Sequence, residues 1–179
     1  MLNIKRSYAG LGVRVTAFAL DYIIIAGYLL FIVALGIVLN TFFPAVAHRL
    51  FSNPLSGQIT GFLMITLPVS LYFITFESSA WQATWGKQKK SLIVTRTDGS
   101  RLTILRAISR TLLKFIPWEL SHTCIWQISF AQQEPSQIII VGFVLVWILV
   151  GVNLISLWIS PTHQTLYDWI ANTYVMVKE

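Results

Sequence analysis

The sequence predicts an all-α integral membrane protein, a bundle of three or four transmembrane helices with an amphipathic interfacial helix and a short cytoplasmic hairpin. Three observations predict this class. The 179 residues are 55% hydrophobic and only 11% charged, whereas a soluble domain carries about 25% charged residues. Three apolar runs are long enough to cross a bilayer, and the basic residues behind the net charge of +6 cluster beside them. The length indicates a single domain over residues 1–179.

Membrane-crossing helices are predicted at residues 17–39, 59–76 and 138–159. The hydrocarbon core is about 30 Å thick and a helix rises about 1.5 Å per residue, so about 20 mostly apolar residues are needed to cross it. The first run contains one charge, Asp21, and the other two contain none. The first run is also longer than the apolar core of a signal peptide and has no convincing cleavage site, so we expect it to be retained.

Residues 112–131 allow two interpretations. The stretch is long enough to cross a membrane, but it contains Lys114, Pro117, Glu119 and His122. Such groups are costly at the bilayer centre unless they face protein or water. The stretch is therefore either a polar fourth span or an interfacial helix broken at Pro117.

The distribution of basic residues predicts the orientation, because cytoplasmic loops are enriched in lysine and arginine. Three basic residues precede the apolar core of the first span: Lys5, Arg6 and Arg14. Only Arg49 lies between the first and second spans. Eight of the thirteen basic residues lie in one segment after the second span, between residues 87 and 114: Lys87, Lys89, Lys90, Arg96, Arg101, Arg106, Arg110 and Lys114.

This asymmetry predicts that the N-terminus and the loop 77–111 are cytoplasmic and that the loop 40–56 is external. The side of the C-terminus depends on residues 112–131. If that stretch crosses, there are four spans and the C-terminus is cytoplasmic. If it does not, there are three spans and the C-terminus is external.

The cytoplasmic loop carries the predicted hairpin. Residues 91–96 are rich in β-branched side chains, and Asp98 and Gly99 form a strong turn signal after them,. We expect the turn to bring residues 102–104 back against residues 91–96.

A basic amphipathic helix is predicted at residues 104–115. Its apolar residues recur at a spacing of three or four, and its basic residues Arg106, Arg110 and Lys114 recur every four residues on another face,. Such a helix is typical of the headgroup plane, so we expect these three residues and Lys87 to contact anionic lipid headgroups or a partner. The alternative is a solvated charged face on a helix packed against the bundle.

Several function classes are excluded by the pattern of residues. The basic residues lie beside long apolar runs, where lipid headgroups are the expected anionic surface, so we expect no nucleic-acid binding. The single cysteine, Cys124, cannot form an intrachain disulfide. Glu119 and His122 supply only two ligands, too few for a metal site. No nucleophile motif lies on the spans, so we expect no enzyme activity, cofactor or metal.

Four segments together resemble the RDD family of small bacterial membrane proteins, named for one arginine and two aspartates. Residues 12–21 (GVRVTAFALD) are similar to the start of its first helix, with Arg14 and Asp21 in the named positions. Residues 82–87 (QATWGK) and 105–110 (LRAISR) are similar to its middle stretch, and residues 165–173 (TLYDWIANT) place Asp168 as the second aspartate. The similarity covers most of the chain in the right order.

Three positions depart from the family pattern. Trp85 stands where the family often has proline, and Ser91 and Asn172 stand where it often has glycine. These departures concern turn geometry more than charge. The resemblance implies a multi-pass protein of the bacterial inner (cytoplasmic) membrane, for which transport, including cation/proton exchange, is the usual suggestion.

The charged trio Arg14, Asp21 and Asp168 allows two interpretations. In the first, Asp21 and Asp168 bind a proton or a monovalent cation along a transport path, and Arg14 tunes their pKa. In the second, the three residues form buried ion pairs that fix the fold. A lone buried carboxylate is costly, so we expect Asp21 to meet a basic group, with Arg106 and Arg110 as candidates.

Two functions follow as hypotheses. The first is a secondary transporter or cation/proton exchanger, expected to be a homo-oligomer because three or four helices enclose little pathway. The second is a non-catalytic interaction or assembly factor whose basic helix binds lipid or a partner.

Overall fold

The computed structural model describes residues 7–131 and 134–178, so Lys5 and Arg6 of the orientation signal lie outside the described residues. The described chain is mostly helical. Its elements in chain order are α1 (Leu11–Phe42), α2 (Pro44–Leu50), α3 (Pro54–Gly61), a π-helical turn (Phe62–Thr66), α4 (Leu67–Ser78), α5 (Trp85–Lys89), β1 (Leu92–Arg96), α6 (Ile104–Ser129), α7 (Gln137–Ile159), α8 (Leu166–Ile170) and β2 (Thr173–Val177).

Three helical stretches are long and apolar enough to cross a membrane. They are α1, the continuous stretch Pro54–Ser78 formed by α3, the π-helical turn and α4, and α7. Only 6% of the most apolar part of α1 and of α7 is buried inside the protein, which leaves their side chains facing outward. Each predicted span lies inside one of these helices, so the helical prediction is confirmed at all three.

Residues 112–129 belong to α6, a single helix of 26 residues that continues through Pro117. A break at Pro117, which was part of one of the two interpretations of this stretch, is therefore wrong. Proline removes one backbone hydrogen bond and usually kinks a helix, but the helical turns on both sides of Pro117 still form. At about 1.5 Å per residue, α6 is about 39 Å long, and residues 104–115 form its first half.

The predicted hairpin is corrected by the structure. The turn at Asp98 and Gly99 forms, but the returning chain makes only an isolated bridge, between Thr95 and Arg101, and residues 102–104 form no strand. The partner of β1 is instead β2, in an antiparallel pair that places Val94 opposite Val175. The turn residues predicted the bend, but the strand that pairs with β1 lies near the C-terminus, far from it in the sequence.

The chain forms two compact units. Unit 1 comprises Met1–Ile23, Leu71–Lys114 and Gly151–Glu179, and unit 2 comprises Ile24–Ser70 and Phe115–Val150. In unit 1, inward-facing residues of both strands pack with three alanines and Leu102 into one buried apolar cluster: Ala9, Ala17, Leu92, Val94, Leu102, Ala107 and Val175. In unit 2, Phe51 stacks on Trp126, and the ring of Trp126 fills the space where a side chain at Gly57 would lie.

Two positions that depart from the pattern of the resembling family, Ser91 and Asn172, have a positive backbone φ angle. Ser91, before β1, has φ of 52°, and Asn172, before β2, has φ of 51°. This left-handed region costs an ordinary residue roughly 1–2 kcal/mol and is populated freely by glycine. The family's frequent glycine at these positions is therefore explained by the two sharp turns into the sheet.

Candidate functional site

Asp168 is a fully buried carboxylate in the first turn of α8. Thr165, at the N-cap, accepts a hydrogen bond from the Asp168 N–H, and Asp168 Oδ2 accepts one from the Thr165 N–H, each at 3.2 Å. This reciprocal capping box fixes both the start of the helix and the direction of the carboxylate.

Two arginines from distant parts of unit 1 bind that carboxylate. Arg14 Nη2 donates to Asp168 Oδ2 at 2.6 Å, while its Nη1 donates to the His163 carbonyl at 2.7 Å. Arg110 Nε and Nη2 both donate to Asp168 Oδ1, at 2.9 and 2.7 Å. Arg14 and Asp168, two of the three residues in the family name, therefore form a direct ion pair.

Arg110 also binds a second buried carboxylate. Its Nη1 donates a short hydrogen bond to Glu77 Oε2, and Lys87 Nζ donates to Glu77 Oε1 at 2.9 Å. We call Arg14, Asp168, Arg110, Glu77 and Lys87 the ionic network. Both of its carboxylates are fully buried, so each depends on these cations to offset the large cost of removing a charge from water.

The electrostatics of the network keep Asp168 ionised. Burial alone would raise the pKa of the Asp168 carboxyl, but the positive charges of Arg14 and Arg110 outweigh this effect and hold that pKa well below its usual range,. The negative charges of Glu77 and Asp168 in turn offset the burial of the Arg110 guanidinium.

Asp21 is fully buried on α1 and is held by neutral donors. Its Oδ1 accepts hydrogen bonds from the Tyr72 hydroxyl at 2.8 Å and from the Gly86 N–H at 2.7 Å, and its Oδ2 accepts one from the Thr84 hydroxyl at 2.6 Å. Among the ion pairs of residues 7–131 and 134–178, none involves Asp21. The expected pairing of Asp21 with Arg106 or Arg110 is therefore wrong.

The donors around Asp21 are themselves fixed by further contacts. Tyr72 Oη accepts a hydrogen bond from the Trp85 N–H at 3.0 Å, so its own proton points to Asp21. Lys87 Nζ lies 3.3 Å from Thr84 Oγ1 and connects the Asp21 site to the ionic network through that hydroxyl. Gly86 permits the close approach, because a Cβ there would overlap the Ala17 carbonyl oxygen.

The predicted lipid-contacting residues are engaged by the protein. Arg110 is 2% exposed, so its assignment to a headgroup-contacting face is wrong, because two buried carboxylates draw its side chain inward. Lys87 binds Glu77, and the ammonium of Lys114 lies over the ring of Phe73. The sequence predicted the basic face of α6. It did not predict that Glu77 and Asp168, from other segments, pair with Arg110 on that face.

Arg106 differs from the other basic residues of α6. Its Nη1 donates to the backbone carbonyls of Ala171 at 3.1 Å and Asn172 at 3.4 Å. It lines an open groove of about 290 Å³ together with Thr103, Leu105, Ser109, Ile170, Ala171 and Asn172.

Sequence reasoning missed three residues of the site: Glu77, Tyr72 and Thr84. Glu77 carried a signal, because it is a carboxylate directly after an apolar run predicted to end at residue 76. Thr84 lies in residues 82–87, which resemble the family, but nothing in that segment marked its hydroxyl. Tyr72 carried no signal, since a hydroxyl on a helix is common and only its position against Asp21 gives it a role.

The part of the chain that the structure describes contains no group of three histidine, cysteine or acidic residues able to hold a metal ion. Glu119 and His122, the pair considered in the sequence, lie 3.8 Å apart on α6. Unit 1 thus contains buried carboxylates in two environments: Asp168 and Glu77 are paired with arginine or lysine, and Asp21 is held by hydrogen bonds without a direct ion pair.

Similarity to known proteins is found in the sequence, at the level of the family. No curated protein and no solved structure matches the chain. The model of the RDD family matches residues 8–172, nearly the whole chain, and includes Arg14, Asp21 and Asp168. These three residues, which lie in distant segments of the sequence, all belong to the buried polar centre of unit 1. The chain belongs to the RDD family.

Proposed function

We propose that the protein is a secondary transporter of the cation/proton-exchanger type that uses the carboxylate of Asp21. One observation carries the proposal: Asp21 is 0% exposed, yet its negative charge is met by two hydroxyls and one backbone N–H rather than by a cation. A carboxylate has about four acceptor positions. Three are filled, so Asp21 keeps capacity on Oδ2 for a proton or a monovalent cation.

The ionic network has a different role in this proposal. Asp168 is held by two arginines and Glu77 by an arginine and a lysine, so neither carboxylate is available to exchange an ion. Each of the two interpretations of Arg14, Asp21 and Asp168 then applies to part of the trio. Arg14 and Asp168 fix the fold, and Asp21 carries the exchange.

The sheet supports a four-span topology. Because β1 pairs with β2, the two strands lie on the same side of the membrane, and the chain between them must cross an even number of times. In this proposal α7, which is apolar enough to cross a membrane, crosses once, and α6 supplies the second crossing. Ala9, just before α1, donates its N–H to Val175 in β2, which supports the same side for residues 7–9.

The density of basic residues in the loop 77–111 favours the cytoplasm as that side. We therefore propose a multi-pass protein of the bacterial inner membrane with four spans and both ends cytoplasmic. A homo-oligomer is part of the proposal, because four helices enclose little pathway on their own.

The transport proposal is tested with purified protein in liposomes that hold a proton gradient. Addition of sodium or potassium should dissipate the gradient, and Asp21→Asn should abolish the effect. The matched control is Asp98→Asn, which neutralises an exposed carboxylate and should transport normally. Equal flux through Asp21→Asn, in protein shown by circular dichroism to be folded, would contradict the proposal, as would the absence of flux with every cation tested.

A second candidate function is supported by the groove beside Arg106. The groove combines one guanidinium with hydroxyl groups, and exposed Leu105 and Ile170 border it. This combination fits an anionic lipid headgroup with its acyl chains alongside. Under this alternative the protein is a non-catalytic membrane interaction factor. Arg106→Gln should then reduce the binding of phosphatidylglycerol, measured by native mass spectrometry, while Lys89→Gln should leave it unchanged.

A further inference from the structure

The segment that begins α5 supplies neighbouring contacts to Asp21 and to Glu77. The Thr84 hydroxyl and the Gly86 N–H donate to the Asp21 carboxylate at 2.6 and 2.7 Å. The side chain of Lys87 belongs to the same arrangement, because its Nζ donates to Glu77 Oε1 at 2.9 Å and to Thr84 Oγ1 at 3.3 Å. The ammonium group of Lys87 therefore bridges the Glu77 carboxylate and the hydroxyl that binds Asp21.

This bridge places a positive charge near Asp21 without a direct ion pair. Thr84 Oγ1 lies 2.6 Å from Asp21 Oδ2 and 3.3 Å from Lys87 Nζ, so the ammonium is within about 6 Å of the carboxylate, where opposite charges still interact,. The ammonium is held at this distance by Glu77, which is fully buried. The hydrogen bond from Lys87 to Thr84 also leaves the hydroxyl proton of Thr84 for Asp21.

The position of the ammonium suits a small monovalent cation. Two oxygens, Glu77 Oε1 and Thr84 Oγ1, lie within 3.3 Å of Nζ, and the centre of the Phe73 ring lies 5.4 Å from it. Oxygen ligands and aromatic faces both attract cations. A cation bound at Asp21 would share Thr84 Oγ1 with the ammonium, and the two positive charges would repel each other.

Two basic side chains of α6 also face this position. Arg110 binds Oε2, the second oxygen of the Glu77 carboxylate, and Lys114 Nζ lies 3.1 Å from the centre of the Phe73 ring. Lys87 is placed differently, on α5 and outside the helical stretches that are apolar enough to cross a membrane. Its side chain is 13% exposed, so water reaches its position without crossing the bilayer.

We propose that Lys87 sets the affinity of Asp21 for its cation. Its ammonium competes with a sodium or potassium ion for Asp21 Oδ2 and Thr84 Oγ1. A transported ion has to bind well enough to enter and weakly enough to leave, and the competition supplies the weakening. This role of Lys87 rests on the proposed function, because it concerns the same carboxylate. Lys87 is a positioning residue, since it acts on Asp21 through Thr84 and through its charge.

The test measures cation binding to the purified full-length protein in detergent, so it does not require transport. A ligand that binds the folded protein raises its melting temperature. Sodium or potassium chloride is added at rising concentration, and N-methyl-D-glucamine chloride keeps the ionic strength constant. In Lys87→Ala the half-effect concentration should be several-fold lower than in wild type. Propylammonium, which replaces the lost ammonium, should raise that concentration again.

Three further variants complete the design. Lys90→Ala removes an exposed lysine from the same loop and should respond to the cations as wild type does. Lys87→Gln removes the charge but keeps a neutral donor, so it should bind the cations more tightly than wild type even if Lys87→Ala fails to fold. Adding Asp21→Asn to either Lys87 variant should abolish the response.

Binding of sodium and potassium no tighter in the folded Lys87 variants than in wild type would overturn the proposal, as would a response that survives Asp21→Asn. Flux is measured separately in liposomes. Tighter binding in the Lys87 variants without flux in any protein would contradict the transport proposal alone. Flux that depends on Asp21, together with unchanged binding in the Lys87 variants, would contradict the role of Lys87 alone.

Discussion

Arg110 binds Asp168 through two guanidinium nitrogens, Nε and Nη2, which converge on Oδ1 at 2.9 and 2.7 Å. The third nitrogen of the same guanidinium binds Glu77. One side chain of α6 thus fixes the positions of two carboxylates, from the end of α4 and the start of α8. The arrangement makes Arg110 the centre of the ionic network, although the family is named for other residues.

Arg110→Met is expected to lower the free energy of unfolding by about 3–5 kcal/mol, because it leaves Glu77 and Asp168 as buried charges with too few partners. Chemical unfolding in detergent, followed by circular dichroism, measures the change. Arg49→Met is the control, since Arg49 is exposed and its loss should cost less than about 0.5 kcal/mol. A similar small cost for both variants would mean that the network does not hold unit 1 together.

The contribution of Asp168 to the free energy of unfolding should decrease only at acidic pH. Since its pKa is lowered in the folded protein, the stability that it provides is fully present above the unfolded value of about 3.9 and is lost as the pH falls further. The difference in unfolding free energy between wild type and Asp168→Asn should therefore be constant from about pH 5 to about pH 8. A difference that changed through neutral pH would show that Asp168 titrates there.

Gly86→Ala is expected to disrupt the Asp21 site. The added Cβ would overlap the Ala17 carbonyl oxygen and lie 2.8 Å from the Asp21 nitrogen, and both are backbone atoms that cannot rotate away. We expect a loss of at least about 2 kcal/mol, or failure to fold. Gly36→Ala on α1 has open space around the new methyl group and should be neutral or stabilising by about 0.5–1 kcal/mol. The two melting temperatures in detergent are compared, and equal values would contradict the packing of α5 on α1.

Ser91→Gly should stabilise the protein, because the left-handed backbone at Ser91 is strained for a residue with a side chain,. The gain is limited to about 1 kcal/mol by the greater freedom of glycine in the unfolded chain. Asn172→Gly has the same backbone geometry but should gain less, since asparagine tolerates this region better. Thermal unfolding of the three proteins gives the order, and a destabilised Ser91→Gly would contradict this account.

The four-span topology is tested with single cysteines in a Cys124→Ser background. A membrane-impermeant thiol reagent applied to intact cells should label Ser52→Cys in the loop 40–56. Ser100→Cys and Lys178→Cys should react only after the membrane is opened, because β1 and β2 hold their segments on one side. Labelling of Lys178→Cys, but not of Ser100→Cys, from outside would favour three spans.

The family resemblance and the helical stretches could be read from local sequence. Apolar runs such as residues 138–159 could be predicted as helices from their length and composition. A segment that crosses a bilayer needs about 20 apolar residues and must form its backbone hydrogen bonds internally, as a helix does. The three residues that name the family also pointed to the buried polar centre. The local pattern of α6 was equally visible, since Arg106, Arg110 and Lys114 recur every four residues.

The environment of each charge was decided by tertiary structure. Arg14 and Asp168 are 154 residues apart, and Asp21 and Gly86 are 65 apart, so no periodic pattern connects them. The same holds for β1, whose partner lies beyond α6 and α7. A buried charge or an unpaired strand edge is stabilised by hydrogen-bonding groups that the fold brings close from distant segments. A membrane-spanning helix, in contrast, needs only an apolar segment of sufficient length. Sequence alone therefore determined the spans and the family, and only the fold decided which carboxylates are neutralised.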